Sequence, residues 1–114
     1  MNKAKWDQYA EFWSMPETER KARIAQVATP DVTYTDPSAS ISGADAFSDH
    51  IGQFQKNVPG GRFVITEAFG HHESSLAHWD MIGSDGSVMM KGTSFAKLSS
   101  DGKFSSFTGF FAAG

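Results

Sequence analysis

The chain has 114 residues, enough for one domain with a single core and one small pocket, and too few for a second domain. Its formal net charge of -3, with Lys and Arg scattered rather than striped, argues against a nucleic-acid partner, and the absence of cysteine excludes disulfides, thiolate zinc sites and thiol nucleophiles. No apolar run approaches membrane-spanning length and Met1 to Trp6 is not leader-like, so the expectation is a soluble cytoplasmic protein with no membrane partner.

Trp6, Tyr9, Phe12 and Trp13 recur at spacings of three and four, one face of an amphipathic helix over 3–14. Pro16 suits a first helical turn, Glu17 and Glu19 suit its positive end, and Ile24 and Val27 give the apolar side of a second helix over 16–28 that Pro30 stops. A short strand, Val32 to Tyr34, runs into Thr35-Asp36-Pro37 and a Pro-Ser loop. Ser42-Gly43-Ala44-Asp45 then opens a third helix over 44–57, with Phe47, Ile51 and Phe54 on one face and a solvated His50, ending before Pro59-Gly60-Gly61.

The second half is β-rich: Arg62 to Gly70, Ser75 to Ile82, Ser87 to Leu98 and Phe104 to Phe111. Ser84-Asp85-Gly86 and Ser100-Asp101-Gly102 separate the last three runs, and Asp-Gly is a strong hairpin signal, so an antiparallel meander is expected. Alternation puts Val88, Met90, Gly92, Ser94, Ala96 and Leu98 on the interior face, and sets Ala77, Trp79 and Met81 against His78 and Asp80. It also groups Phe63, Ile65, Glu67 and Phe69 against Val64, Thr66 and Ala68. Phe104 to Phe111 alternates poorly, which predicts a bulge. Helices followed by strands give an α+β fold, helices packed on the concave side of a curved sheet.

The chemistry-bearing residues each have a structural reading and a functional one. An Asp before Pro after a strand is most often a turn-former; at the lip of an apolar pocket it is also a general base, and burial would raise its pKa toward working pH. Ser94 is a hydroxyl in an apolar row and needs a hydrogen-bond partner or a polar spot in a cavity. The helix-one aromatics are core residues or a ligand box. His71, His72, Glu73, His78 and Asp80 crowd two strands, but neighbours on a strand point to opposite faces, and no metal-binding spacing is present. No metal or cofactor is expected, and neither a nucleophile elbow nor a phosphate loop appears.

Val32-Thr33-Tyr34-Thr35-Asp36-Pro37, Ile41 to Phe47, Phe54 before Pro59-Gly60, His78-Trp79, Gly92-Thr93-Ser94-Phe95, Asp101-Gly102-Lys103-Phe104 and Gly109-Phe110-Phe111 together resemble the nuclear-transport-factor-2-like superfamily, in its SnoaL-like and ketosteroid-isomerase-like branch. The resemblance covers nearly the whole chain. It implies a cone-shaped α+β barrel around a pocket, paired as a homodimer through the outer sheet face. It further implies that Asp36 stands where isomerases of this type keep their general base. Ser94 stands where they keep a protonated acid for the oxyanion, and Tyr9, or else Phe12, stands where they keep a helix-one tyrosine. A serine is the weaker donor there. The expected ligand is a small hydrophobic carbonyl compound held by Phe12, Trp13, Tyr34, Phe54, His72, Trp79, Met90 and Phe110. The activity is isomerase, cyclase or lyase chemistry; the alternative is a non-catalytic binding or dimeric structural module. An epoxide hydrolase would need a second carboxylate and an arginine inside, from Glu67, Asp80 and Arg62.

Overall fold

The computed structural model describes residues 3–111. Three helices precede and interrupt the first strands: α1 Lys3–Phe12, α2 Glu17–Val27, β1 Ala28–Asp36, β2 Ala39–Ser42 and α3 Ala44–Asn57. The meander follows as β3 Arg62–His71, β4 Ser74–Ile82, β5 Val88–Leu98 and β6 Phe104–Phe110. One curled six-stranded sheet, in the order β2-β1-β6-β5-β4-β3, forms an open cone; every neighbouring pair is antiparallel except β1 with β6. The helices pack against the concave face.

Both early helices are shorter than their apolar spacing predicts. α1 ends at Phe12, and Trp13 to Met15 form a turn whose amides bond three residues back, Trp13 N to Ala10 O at 3.3 Å and Met15 N to Phe12 O at 3.3 Å. α2 ends at Val27, because Ala28 already has extended backbone (ψ 156°) as the first residue of β1. Pro30 therefore lies within a strand rather than after a helix. Its missing N–H coincides with the break in β1–β6 pairing between Ala28 and Thr33, where a proline is tolerated. The Pro-Ser loop is a two-residue hairpin turn: Asp36 pairs with Ala39, and β2 runs back along β1. Asp36 Oδ1 closes that turn by accepting the Ser38 N–H at 2.8 Å and the Ser38 hydroxyl at 2.9 Å.

Bulges correct the simple alternation at three places. In β3 the register shifts between Ile65 and Glu67, so Phe63 and Ile65 face the core but Phe69 turns out and is 54% exposed. In β5 a shift at the hairpin end leaves Val88 half exposed, whereas Met90, Ser94, Ala96 and Leu98 keep the interior phase. In β6 the expected bulge sits between Phe104 and Ser106, and it lets Phe104 and Phe107 both point inward.

The core is aromatic. Trp6, Phe12, Phe47, Phe104 and Phe107 are fully buried, and Tyr9 stacks on Phe107 with ring centroids 4.4 Å apart. The Trp6 indole N–H donates to Ser75 Oγ at 2.7 Å, and that hydroxyl donates to Phe69 O at 2.9 Å, so α1 is tied to β4 and β3 through a satisfied buried chain. At Gly92 the ring of Trp79, its cross-strand partner, lies where a Cβ would be, 2.2 Å away. That glycine is demanded by packing.

Candidate active site

Between the helices and the concave face of the sheet lies a partly open cavity of about 310 Å³. Its walls are mostly apolar: Trp13 from the α1–α2 turn, Phe54 from α3, Phe63 and Ile65 from β3, Trp79 and Met81 from β4, Met90 from β5 and Phe111. Gln53 and Asn57 of α3 add polar side chains to the lining, and two further polar clusters are joined across the sheet floor by a glycine.

The first cluster is built on the end of β1. Asp36 has a side chain only 5% exposed; Oδ2 accepts the Tyr34 hydroxyl at 2.7 Å and stands 3.9 Å from Nε2 of His50, while Oδ1 takes the two Ser38 bonds. Burial alone would raise its pKa. The hydrogen bonds from Tyr34 and Ser38 and the charge of His50 outweigh that and hold the carboxyl below the ordinary aspartate range. Burial therefore does not by itself set its proton affinity; the donors it meets outweigh it. Tyr34 moves the other way: burial, then the proximity of Tyr9 and the Asp36 bond, push its phenol far up, so it stays a neutral donor.

The second cluster lies deeper. Trp79 Nε1 donates to Ser94 Oγ at 3.0 Å, within a buried spot that also holds the Tyr9 hydroxyl. Burial raises the Tyr9 phenol strongly, against the bond from Trp13, so it too is a neutral donor at the cavity wall.

The structure gathers Asp36, Ser94, Tyr9, Trp13, Tyr34, Phe54, Trp79 and Met90 around the cavity. Three residues expected at the site lie elsewhere. Phe12 is fully buried in the core, edge-on to Phe47, one helical step past the cavity face, which leaves Tyr9 as the helix-one hydroxyl. His72 is in the exposed β3–β4 turn with φ 52°, its Nδ1 3.3 Å from that of His71. Phe110 is 57% exposed on the outer sheet face, because Gly109 pairs with Ser94 on the inner face and sends its successor outward; Phe111 lines the cavity instead.

His50, expected in solvent, lines the cavity with its ring 5.2 Å from that of Tyr34 and 6.0 Å from that of Trp13. The signal was its spacing: three residues after Phe47 and four before Phe54, it belongs to the apolar face of α3. Glu67 and Arg62 are exposed, and Asp80 pairs with Lys91 at 2.8 Å on the outer face, so none supplies the second carboxylate or arginine of an epoxide hydrolase. Among the described residues no three His, Asp or Glu side chains gather as a metal site.

Several solved structures share this architecture. A SnoaL-like family protein from Agrobacterium tumefaciens, named as a candidate isomerase, superposes with a TM-score of 0.90 at 23% identity, covering 96% of each chain. A ketosteroid-isomerase-like protein from Catenulispora acidiphila, in complex with trimethylamine, gives 0.80 at 12% identity over 98% of this chain and 88% of that one. A candidate polyketide cyclase from Sinorhizobium meliloti gives 0.74 at 15% identity over 93% of each chain. At these identities the likeness shows the fold alone. No curated protein matches in sequence. The SnoaL-like domain pattern matches residues 6–107, nearly the whole chain, and the protein belongs to that family.

Proposed function

We propose that the protein is a small-molecule enzyme of isomerase, cyclase or lyase type, in which Asp36 moves a proton on a small, largely apolar carbonyl compound. The observation that carries this reading is the pairing of a nearly enclosed carboxylate with neutral hydroxyl and indole donors in one apolar cavity. Asp36 is ionised at neutral pH, as a base must be, and its low proton affinity makes it a weak one. By Brønsted behaviour it serves a carbon acid that is already activated, such as one between or conjugated to carbonyls. Tyr9 and Ser94 would donate to the developing oxyanion, each as a neutral group.

The test is deuterium incorporation from D2O into a panel of cyclic enones and 1,3-diketones, followed by proton NMR. The wild type is expected to accelerate exchange for at least one compound, with the acceleration cut about 100-fold or more in Asp36→Asn. Exchange no faster than buffer across the panel would end the catalytic reading.

A second reading has its own support. The same Asx turn that lowers Asp36 is what a purely structural aspartate would make, which favours a binding module holding an apolar ligand. The Catenulispora neighbour is in complex with trimethylamine, so a protein of this fold takes up a small molecule. Under either reading a cytoplasmic homodimer is proposed, its interface on the outer sheet face around Phe110.

A further inference from the structure

The cavity floor contains a glycine that the fold does not need. β6 runs between β1 and β5, and Thr35 pairs with Thr108 while Ser94 pairs with Gly109. Asp36, Gly109 and Ser94 therefore form one row across three adjacent strands, with the two polar side chains rising from the concave face on either side of a residue that has none. A Cβ on Gly109 would stand 3.5 Å from Asp36 Cβ, 3.8 Å from Ser94 Oγ and 3.8 Å from Thr35 O, all ordinary van der Waals separations. Its φ is not in the left-handed region. Neither conformation nor crowding requires glycine here. Gly92, on the same face, is the contrast, since Trp79 fills its side-chain space.

Glycine inside a strand weakens it, having no side chain to pack and more backbone freedom to lose. The vacant volume over Gly109 lies between the proposed base and the proposed oxyanion donor. We propose that Gly109 is the specificity-determining floor of the reacting subsite, where a flat, conjugated carbonyl or enol group lies against bare backbone with its carbon toward Asp36 and its oxygen toward Ser94. The proposal rests on the proton-transfer reading for the roles of those two residues, but the docking of a planar group over Gly109 does not. A single methyl group added there closes the subsite to such a ligand while leaving the protein folded.

The experiment uses Gly109→Ala in the full chain, with phenol, 2-naphthol and cyclohex-2-enone as flat probes, binding being read from the fluorescence of Trp13 and Trp79 at the cavity wall. The variant is expected to keep or raise the thermal midpoint and to lose affinity for 2-naphthol about tenfold or more, the scale of one methyl in a fitted pocket. Its exchange activity should fall in parallel. Wild-type affinity in Gly109→Ala would overturn the proposal, and so would a lowered thermal midpoint, because the glycine would then be structural. Failure of the wild type to bind any of the probes overturns it as well. Asp36→Asn separates this inference from the function it deepens. If Gly109→Ala abolishes binding while Asp36→Asn leaves exchange untouched, the subsite stands and the base assignment falls; the opposite pattern removes the subsite and keeps the base.

Discussion

Asp36 closes a hairpin turn with one oxygen and faces Tyr34 and His50 in the cavity with the other. Those bonds favour the ionised form in the folded chain over the unfolded one, and the sign of the resulting pH dependence is fixed by the lowered folded pKa. The stabilisation is complete above the unfolded value near 3.8 and is lost as pH falls through the lower folded value. Asp36→Asn should therefore lower the urea midpoint at neutral pH, and its gap to the wild type should narrow progressively below that value; a gap that is constant with pH would mean that the carboxylate's charge contributes nothing. Asp36 could be singled out from sequence because it ends a strand just before a proline, and Ser94 because it is a hydroxyl in a patterned apolar row. For His50 the spacing from Phe47 and Phe54 marks the apolar face of α3, but its partner shows only when the strand end beneath it is placed.

At the scale of elements, the cavity depends on how the α1–α2 turn is held. Arg20 of α2 is buried and donates to three neutral acceptors: Ser48 Oγ at 2.8 Å, Met15 O at 3.0 Å and Gln55 Oε1 at 3.3 Å. Gln55 in turn donates to Met15 O at 2.7 Å and Trp13 O at 3.2 Å, so one guanidinium joins α2 and α3 to the turn that presents Trp13. Gly52 leaves it room, with a terminal nitrogen 3.3 Å from where a Cβ would sit. A lysine cannot span these acceptors in one plane, so Arg20→Lys should cost about 1–3 kcal/mol of stability by leaving buried groups unpaired. An unchanged denaturation midpoint would show that the clamp is dispensable. The helices themselves were legible from apolar spacing, and α3 matches its expected bounds of 44–57. What spacing could not locate were the bulges at Ile65/Glu67 and at the start of β5, where one extra residue reverses or shifts the phase and leaves composition untouched. Nor could it find β2, whose four residues pair only because the Asp36 turn reverses the chain.

The whole molecule presents two edges and one open face to other chains. The edges are poor templates: β2 has four residues, and β3 is interrupted by its bulge and carries the exposed Arg62 and Glu67. The outer face is different. Phe110 and Phe69 are more than half exposed there and Val64 is 38% exposed, around an open groove containing His78, Thr93 and the Asp80–Lys91 pair. Association through that face, as the family resemblance implies, would bury Phe110 near its middle, because β6 and β5 occupy the centre of the sheet order. Burying one phenylalanine contributes about 1.5–3 kcal/mol, or roughly 10–100-fold in a dissociation constant. Phe110→Lys should then weaken the dimer by at least that factor in sedimentation across a concentration series, while leaving the cavity's probe binding intact, since Phe110 points away from it. A wild-type chain that sediments as a monomer at every concentration would leave the outer face without this partner, and the aromatic patch would have to be accounted for in some other way.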